Sequence, residues 1–124
     1  MIRSVEHLVD LDGLASRLLP DLQRWQQSVQ VGPVTWRDEN AEWPQPIVDD
    51  RSAVEVPESL GLRLWHGSDE FEIVIWTGGW ADAGSFVEGE LEQPALAFAD
   101  EDEAYEAMCA CVEAFISATL DDGP

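Results

Sequence analysis

Two short stretches of alternating apolar residues, separated by a segment that contains a glycine, constrain the fold of this chain more than any other feature. Leucines occupy positions 60, 62 and 64, and Phe71, Ile73 and Ile75 follow on the far side of Gly67-Ser68. A two-residue type II′ turn with glycine first joins such stretches into an antiparallel hairpin. The predicted pairs are Leu64–Phe71, Leu62–Ile73 and Leu60–Ile75 on one face, and Arg63–Glu72, Trp65–Glu70 and Gly61–Val74 on the other. A shift by one residue would bury Arg63 and the glutamates, so both faces specify the same register.

Amphipathic helices are predicted at the two ends of the chain. Apolar residues recur at steps of three and four from Leu11 to Val29 and again from Tyr105 to Leu120. Pro20 is expected to kink or break the first helix, with a second helix beginning there. Asp100, with Glu103 three residues later, is the expected N-cap of the last helix.

The order of these segments predicts an α+β fold. We expect residues 1–124 to form a single globular domain with a central antiparallel sheet of about four to five strands, and the N- and C-terminal helices packed on one face of it. Residues 31–37 contain Pro33, which suits an edge strand. Residues 77–84 are rich in glycine and are expected to be a connection that leads to a strand over residues 85–91.

The charge of the chain restricts its partners. It contains 26 acidic residues and six arginines, has no lysine, and carries a formal net charge of −20. Binding to nucleic acid or to anionic lipid requires clustered cations, so neither is expected. A surface of one sign attracts the opposite sign, which favours a basic protein as the partner. The apolar fraction of 45%, with six tryptophans, indicates a folded chain rather than a disordered one.

Two regions are predicted to form the partner-binding surface, because each places tryptophan beside carboxylates. One is a long loop over residues 38–50, and the other is the hairpin face opposite the leucines together with the residues that follow it. The candidate residues are Glu39, Glu42, Trp43, Asp49 and Asp50 in the loop, and Trp65, Glu70, Glu72, Trp76, Trp80, Asp82, Glu88 and Glu90 in the sheet region. The alternative is that the loop or the N-terminal segment covers these tryptophans and forms a second small core.

No motif in the sequence indicates an enzyme. His7 and His66 have no nucleophile motif nearby, and Gly78-Gly79 lacks the frame of a phosphate-binding loop. We therefore expect no catalytic residue, cofactor or metal. Cys109 and Cys111 point to opposite sides of a helix and cannot bridge each other, and no apolar run approaches the roughly 20 residues of a membrane span. These features are typical of a cytoplasmic protein.

The combination of the Leu60–Trp76 hairpin, the Gly78-Gly79-Trp80 loop and an acid-capped last helix resembles the immunity proteins of bacterial polymorphic toxin systems. Proteins of this class are small, acidic and cytoplasmic, have an α+β fold, and inhibit a cognate toxin by covering it. The resemblance implies a basic toxin domain as the partner, either a nuclease or an ADP-ribosylating or NAD-degrading enzyme. It implies stoichiometric inhibition by acidic side chains, with Trp43 or Trp80 as the anchor.

Two alternatives to a toxin inhibitor remain open at the level of sequence. A DNA mimic would space its carboxylates like phosphates along one face and would displace DNA from many unrelated nucleases. An adaptor-type protein-interaction module would act without a toxin partner.

The charge imbalance gives a prediction for stability. Repulsion among the carboxylates opposes the compact state, and salt screens it. We expect the melting temperature at neutral pH to rise when NaCl is added, as measured by circular dichroism. A melting temperature that falls over the same range would contradict this view of the charge.

Overall fold

The computed structural model describes residues 6–121. In chain order the elements are α1 (Leu11–Trp25), β1 (Gln30–Val31), β2 (Thr35–Asp38), a short 3-10 turn (Arg51–Ala53), β3 (Pro57–His66), β4 (Asp69–Trp76), β5 (Trp80–Val87), β6 (Glu90–Glu92), β7 (Ala95–Ala97) and α2 (Glu101–Leu120). The strands form one antiparallel sheet between a helix at each end, so the predicted α+β class is confirmed.

The sheet has seven strands, and the expected number of four to five was too low. The difference arises because each edge of the sheet is divided into two short strands. β1 and β2 both pair with β3 on one side, and β6 and β7 both pair with β5 on the other. Pro33 separates the first pair and Pro94 the second. Proline cannot donate a ladder hydrogen bond, so it interrupts an edge strand where it occurs.

The central hairpin has the register that the sequence predicts. The β3–β4 pairs include Leu60–Ile75, Leu62–Ile73 and Leu64–Phe71 on the apolar face, and Gly61–Val74, Arg63–Glu72 and Trp65–Glu70 on the other. Gly67 begins the two-residue turn with a φ of +61°. Only a glycine adopts this conformation without strain, as the first position of a type II′ turn requires.

The strand after the hairpin begins earlier than the sequence suggested. Trp80, Asp82 and Gly84 belong to β5 rather than to a glycine-rich connection, and Trp80 pairs with Trp76. β5 ends at Val87, and Glu88 and Gly89 both have positive φ in a tight turn to β6. The connection between β4 and β5 is therefore only Thr77-Gly78-Gly79, because tertiary pairing with β4 outweighs the low strand propensity of the small residues.

Both helices pack on the apolar face of the sheet. The buried core joins Leu14, Leu18 and Trp25 of α1 with Met108 and Phe115 of α2 over the leucine and isoleucine side chains of β3 and β4. α1 continues through Pro20, so the expected break is wrong. Buried residues lie on both sides of the proline, and their burial offsets the lost hydrogen bond.

A polar junction holds the two helices together. The buried carboxylate of Asp21 on α1 accepts hydrogen bonds from the Tyr105 hydroxyl at 2.7 Å and from Arg24 at 2.7 Å. The bond to Asp21 raises the pKa of Tyr105 well above its usual value. At the start of α2, Asp100 accepts a bond from the Glu103 backbone N–H at 2.9 Å and is the predicted N-cap.

Asp69 joins three separate elements at the opposite end of α2. Its Oδ2 accepts a hydrogen bond from the Thr119 hydroxyl at 2.6 Å, and its Oδ1 accepts one from the Glu88 backbone N–H at 3.0 Å. The Thr119 bond is the main cause of a lowered pKa for Asp69. The charged form of Asp69 therefore stabilises the contact between the two turns and the end of α2.

We expect Asp69→Asn to lower the melting temperature at pH 7. Because the folded pKa lies below the unfolded value of 3.8, the contribution of Asp69 is fully present above that pH and disappears as the pH falls through the folded pKa. The difference in melting temperature between Asp69→Asn and the wild type should therefore disappear at acidic pH. Asp49→Asn, at an exposed loop carboxylate, is the matched control and should show no such difference at either pH. A gap that stays constant from pH 7 to pH 2 would contradict the role of the charge.

Candidate functional site

The face of the sheet opposite the helices is a grid of side chains on neighbouring strands. One row runs through Arg37, Ser59, Trp76 and Trp80 from β2 to β5, as the register of the four strands shows. A second row, at the other end of the sheet, contains Trp65, Glu70, Phe86 and Leu91. We call this the open face, because neither helix packs on it.

The first row carries an aromatic stack. The rings of Trp76 and Trp80 are nearly parallel, with centroids 5.2 Å apart, and the guanidinium of Arg37 lies 5.0 Å from the Trp76 ring. Arg37 reaches this ring across Ser59, to which it donates a hydrogen bond. The indole N–H of Trp76 donates to Asp82 at 3.2 Å. Trp76 is half-buried within the stack, whereas 46% of Trp80 is exposed at its outer end.

The second row presents aromatic area beside charge. The Arg63 guanidinium lies 5.3 Å from the Trp65 ring and pairs with Glu72 at 3.2 Å and, more loosely, with Glu70 at 3.9 Å. Phe86 and Leu91 are exposed on the same side of the sheet. They are not among the residues predicted from the sequence, because a strand expected over residues 85–91 does not fix which side chains of β5 lie on the open face. The Glu88-Gly89 turn is the sequence feature that indicates where β5 ends, and therefore which of its side chains share a face.

The rows between these two ends contain short side chains beside Arg63, Glu72 and Asp82. Gly61, Val74 and Gly84 lie in the middle of the open face, so the surface is lower there than at the tryptophans. A recess of about 210 Å³ lies beside Gly84 and is lined by residues that include Arg63, Glu72 and Phe86. The open face therefore combines aromatic ends, a low centre and exposed carboxylates, which is an arrangement suited to a protein partner.

The few cations of the described chain are already used internally. Arg17, Arg24, Arg51 and Arg63 each pair with at least one carboxylate, and Arg37 stacks on Trp76. Among the described residues, exposed carboxylates greatly outnumber these cations. The described surface is consequently anionic overall.

The loop over residues 38–50 lies along the outer edge of β2 rather than over the open face. Val48 pairs with Trp36 in both directions, and the buried Gln45 donates to Glu58 on β3. These contacts anchor the loop at the edge and on the helix side of the sheet. Among the described residues, the predicted alternative of tryptophans covered by this loop is not what the structure shows. The other predicted cover, the N-terminal segment, lies outside the described residues over positions 1–5.

Several of the candidate loop residues have structural roles. Glu39 contacts His7 at 2.8 Å, and Asp50 accepts bonds from the backbone and hydroxyl of Ser52. Glu42 and Asp49 are exposed, and 70% of Trp43 is exposed. The loop is therefore a second anionic surface, separated from the open face by the edge of the sheet.

The structure also separates Glu88 and Glu90 from the other sheet candidates. Glu90 pairs with Val87 and faces the helix side, so Glu88, Glu90 and Glu92 line a groove between β5–β6 and α2. The groove has a volume of about 360 Å³ and an apolar floor that includes Phe115 and Cys111. Of the sheet candidates, Trp65, Glu70, Glu72, Trp76, Trp80 and Asp82 remain together on the open face.

The described residues contain no group of three or more His, Cys, Asp or Glu side chains placed to hold a metal ion. Within the same part of the chain, no helix has the length and apolar character that a bilayer span requires. His7 contacts Glu39, and burial raises the pKa of the Cys109 and Cys111 thiols. A raised pKa makes a thiol a poorer nucleophile at neutral pH.

Comparisons with known proteins give no match: no family model fits the sequence, and no curated protein or solved structure is significantly similar to it.

The aromatic stack predicts an order of stability losses. Trp76→Ala removes the contacts with Arg37, Trp80 and Asp82, and we expect it to lower the free energy of unfolding by about 2–4 kcal/mol. Trp80→Ala removes one stacking partner from an exposed position and should cost about 1 kcal/mol. Urea denaturation measures both. Equal losses in the free energy of unfolding, or a larger loss for Trp80→Ala, would show that Trp76 does not contribute more than Trp80 to the stability of the stack.

Proposed function

We propose that this protein is an inhibitor of the immunity-protein type, which binds and neutralises a cognate basic toxin domain by covering it. The observation that carries the proposal is the open face, where Trp76, Trp80 and Phe86 lie among exposed carboxylates on a chain whose net charge is −20. Aromatic side chains supply binding area at low entropic cost, and carboxylates select a cationic surface.

The mechanism of inhibition is occlusion. The carboxylates of Glu70, Glu72 and Asp82 pair with cations of the toxin, and the tryptophans pack against the apolar surface between them. A nuclease, or an enzyme that binds a dinucleotide, uses cations to hold phosphate groups, so covering those cations blocks its substrate. The chain itself performs no chemistry in this mechanism. The cytoplasm, where such toxins act, is its proposed location.

The open face favours a protein-specific inhibitor over a general mimic of DNA. Arg37 and Arg63 lie among the carboxylates, and aromatic side chains occupy both ends of the face. A surface that imitates a phosphate backbone has no use for these cations or for large apolar side chains. The features instead match the anchors of a specific interface.

The proposal predicts rescue from toxicity. The product of the neighbouring reading frame in the native genome is expressed alone and together with this chain, and growth is measured. We expect growth to stop with the neighbour alone and to resume when the chain is present. A neighbour that is harmless alone, or toxic in both cases, would contradict the proposed function.

Three matched pairs of substitutions identify the docking surface. Glu70→Gln/Glu72→Gln changes the open face, Glu42→Gln/Asp49→Asn changes the loop, and Glu106→Gln/Glu113→Gln changes the outer surface of α2. Each pair removes two negative charges. The open-face pair should slow association with the toxin about tenfold at low salt, with a much smaller effect at 0.5 M NaCl, as measured by stopped-flow fluorescence.

The α2 pair is the control for net charge. If all three pairs slow association equally, the field of the whole chain is responsible and the open face is not the docking site. A larger effect of the loop pair would place the contact at residues 38–50.

A further inference from the structure

The outer side of Trp80 borders an open recess at the edge of the sheet. The recess has a volume of about 570 Å³, and its lining includes Trp80, Asp82, Gln93, Pro94 and Ala95. Trp76 covers the side of the Trp80 ring that faces β4, so the opposite face of the ring is directed towards β7 and the recess. Asp82, whose carboxylate accepts the Trp76 indole N–H at 3.2 Å, lines the same recess.

The arginines of the chain repeatedly adopt one arrangement in which a guanidinium has both an aromatic ring and a carboxylate as neighbours. Arg17 lies 4.1 Å from the Tyr105 ring and pairs with Glu101 at 3.1 Å. Arg63 lies 5.3 Å from the Trp65 ring and pairs with Glu72 at 3.2 Å.

A third example supports the same pattern. Arg51 lies 5.5 Å from the Trp36 ring and pairs with Asp12 at 2.7 Å. At Trp80 and Asp82, the ring and the carboxylate are present, and within residues 6–121 no guanidinium contacts that ring. A guanidinium is therefore the one component of this arrangement that the described residues do not supply at Trp80 and Asp82.

We propose that Trp80 and Asp82 bind the side chain of an arginine from the basic partner. The guanidinium stacks on the outer face of the Trp80 ring and donates to the Asp82 carboxylate, which extends the row from Arg37 through Trp76 and Trp80 to a second arginine. Arginine fits this site better than lysine because its head group is planar and weakly hydrated and therefore stacks on rings. The inference rests on the proposed function and names the residue type that the open face recognises.

The test titrates the folded chain with the peptide Ac-Gly-Arg-Gly-NH2 and follows the tryptophan indole N–H signals by NMR, each assigned by a single Trp→Phe variant. We expect the Trp80 and Trp76 signals to shift, with little change at Trp43 and Trp25. The peptide with citrulline, which has the same shape without the charge, should produce at most a fifth of the shift at equal concentration. Equal shifts with citrulline, or a larger shift at Trp43, would overturn the proposal.

Two variants locate the site. Asp82→Asn keeps an acceptor for the Trp76 indole and should weaken arginine binding about threefold to fivefold, whereas Glu106→Gln on the outer surface of α2 should leave it unchanged. Trp80→Ala should abolish the shift at Trp76, and its circular dichroism spectrum reports whether the sheet is intact. Unchanged binding in Asp82→Asn and Trp80→Ala would place the arginine elsewhere.

Arg3 is outside the described residues and is a competing source of a guanidinium. The titration is therefore repeated with Arg3→Gln. An unchanged affinity supports a site for a partner, whereas binding that appears only after the substitution would show that the site belongs to Arg3 and would overturn the proposal.

The two proposals fail in different ways. Arginine binding without rescue from the neighbouring gene product keeps this site and rejects the toxin inhibitor. Rescue by Asp82→Asn and Trp80→Ala with unchanged affinity for the toxin keeps the inhibitor and rejects this site.

Discussion

The antiparallel pairing of β3 with β4 is the interaction on which the rest of the structure depends. Its register directs three leucines of β3 and three apolar residues of β4 to one face, and this face receives both helices. The same register directs Arg63, Trp65, Glu70 and Trp76 to the other face, where they meet solvent. The core and the candidate binding surface are therefore two consequences of one pairing, and a register shift would destroy both.

Charge is the second constraint on the structure, and its effect depends on where the charged residues lie. A chain with 26 carboxylates and six arginines repels itself, and among the described residues Arg17, Arg51 and Arg63 each pair with carboxylates and relieve this repulsion locally. Arg17 and Arg51 connect α1 to other elements, and Arg63 lies between two glutamates on the open face. The remaining negative charge includes exposed carboxylates on the loop over residues 38–50, around the groove beside α2 and on the outer surface of α2. A cationic partner would neutralise carboxylates in the same way as the arginines of the chain do.

The sequence predicted the parts of the fold that rest on local patterns. The Gly67-Ser68 turn and the alternation on both sides of it gave the hairpin register, and Asp100 gave the start of α2, because turn chemistry and capping act over a few residues. It did not predict that β5 begins at Trp80, nor that β6 and β7 exist as separate strands. Small residues such as Ala81, Ala83 and Gly84 have little strand propensity of their own and form a strand because β4 offers them a partner. The sequence predicted only part of the candidate site, for the same reason. The hairpin register places four candidate residues on one face, namely Trp65, Glu70, Glu72 and Trp76. The presence of Phe86 and Leu91 on that face, and the separation of Glu88 and Glu90 from it, depend on β5.

The sequence by itself therefore determined the α+β class, the central hairpin, the two terminal helices and the excess of negative charge. These depend on residue type and on spacing within a few positions. Only the tertiary structure decided that the long loop lies along the edge of β2, that Arg37, Trp76 and Trp80 stack in one row, and that Asp82 stands beside them. These contacts join residues from different strands, and their formation depends on the packing of the whole sheet rather than on any single segment.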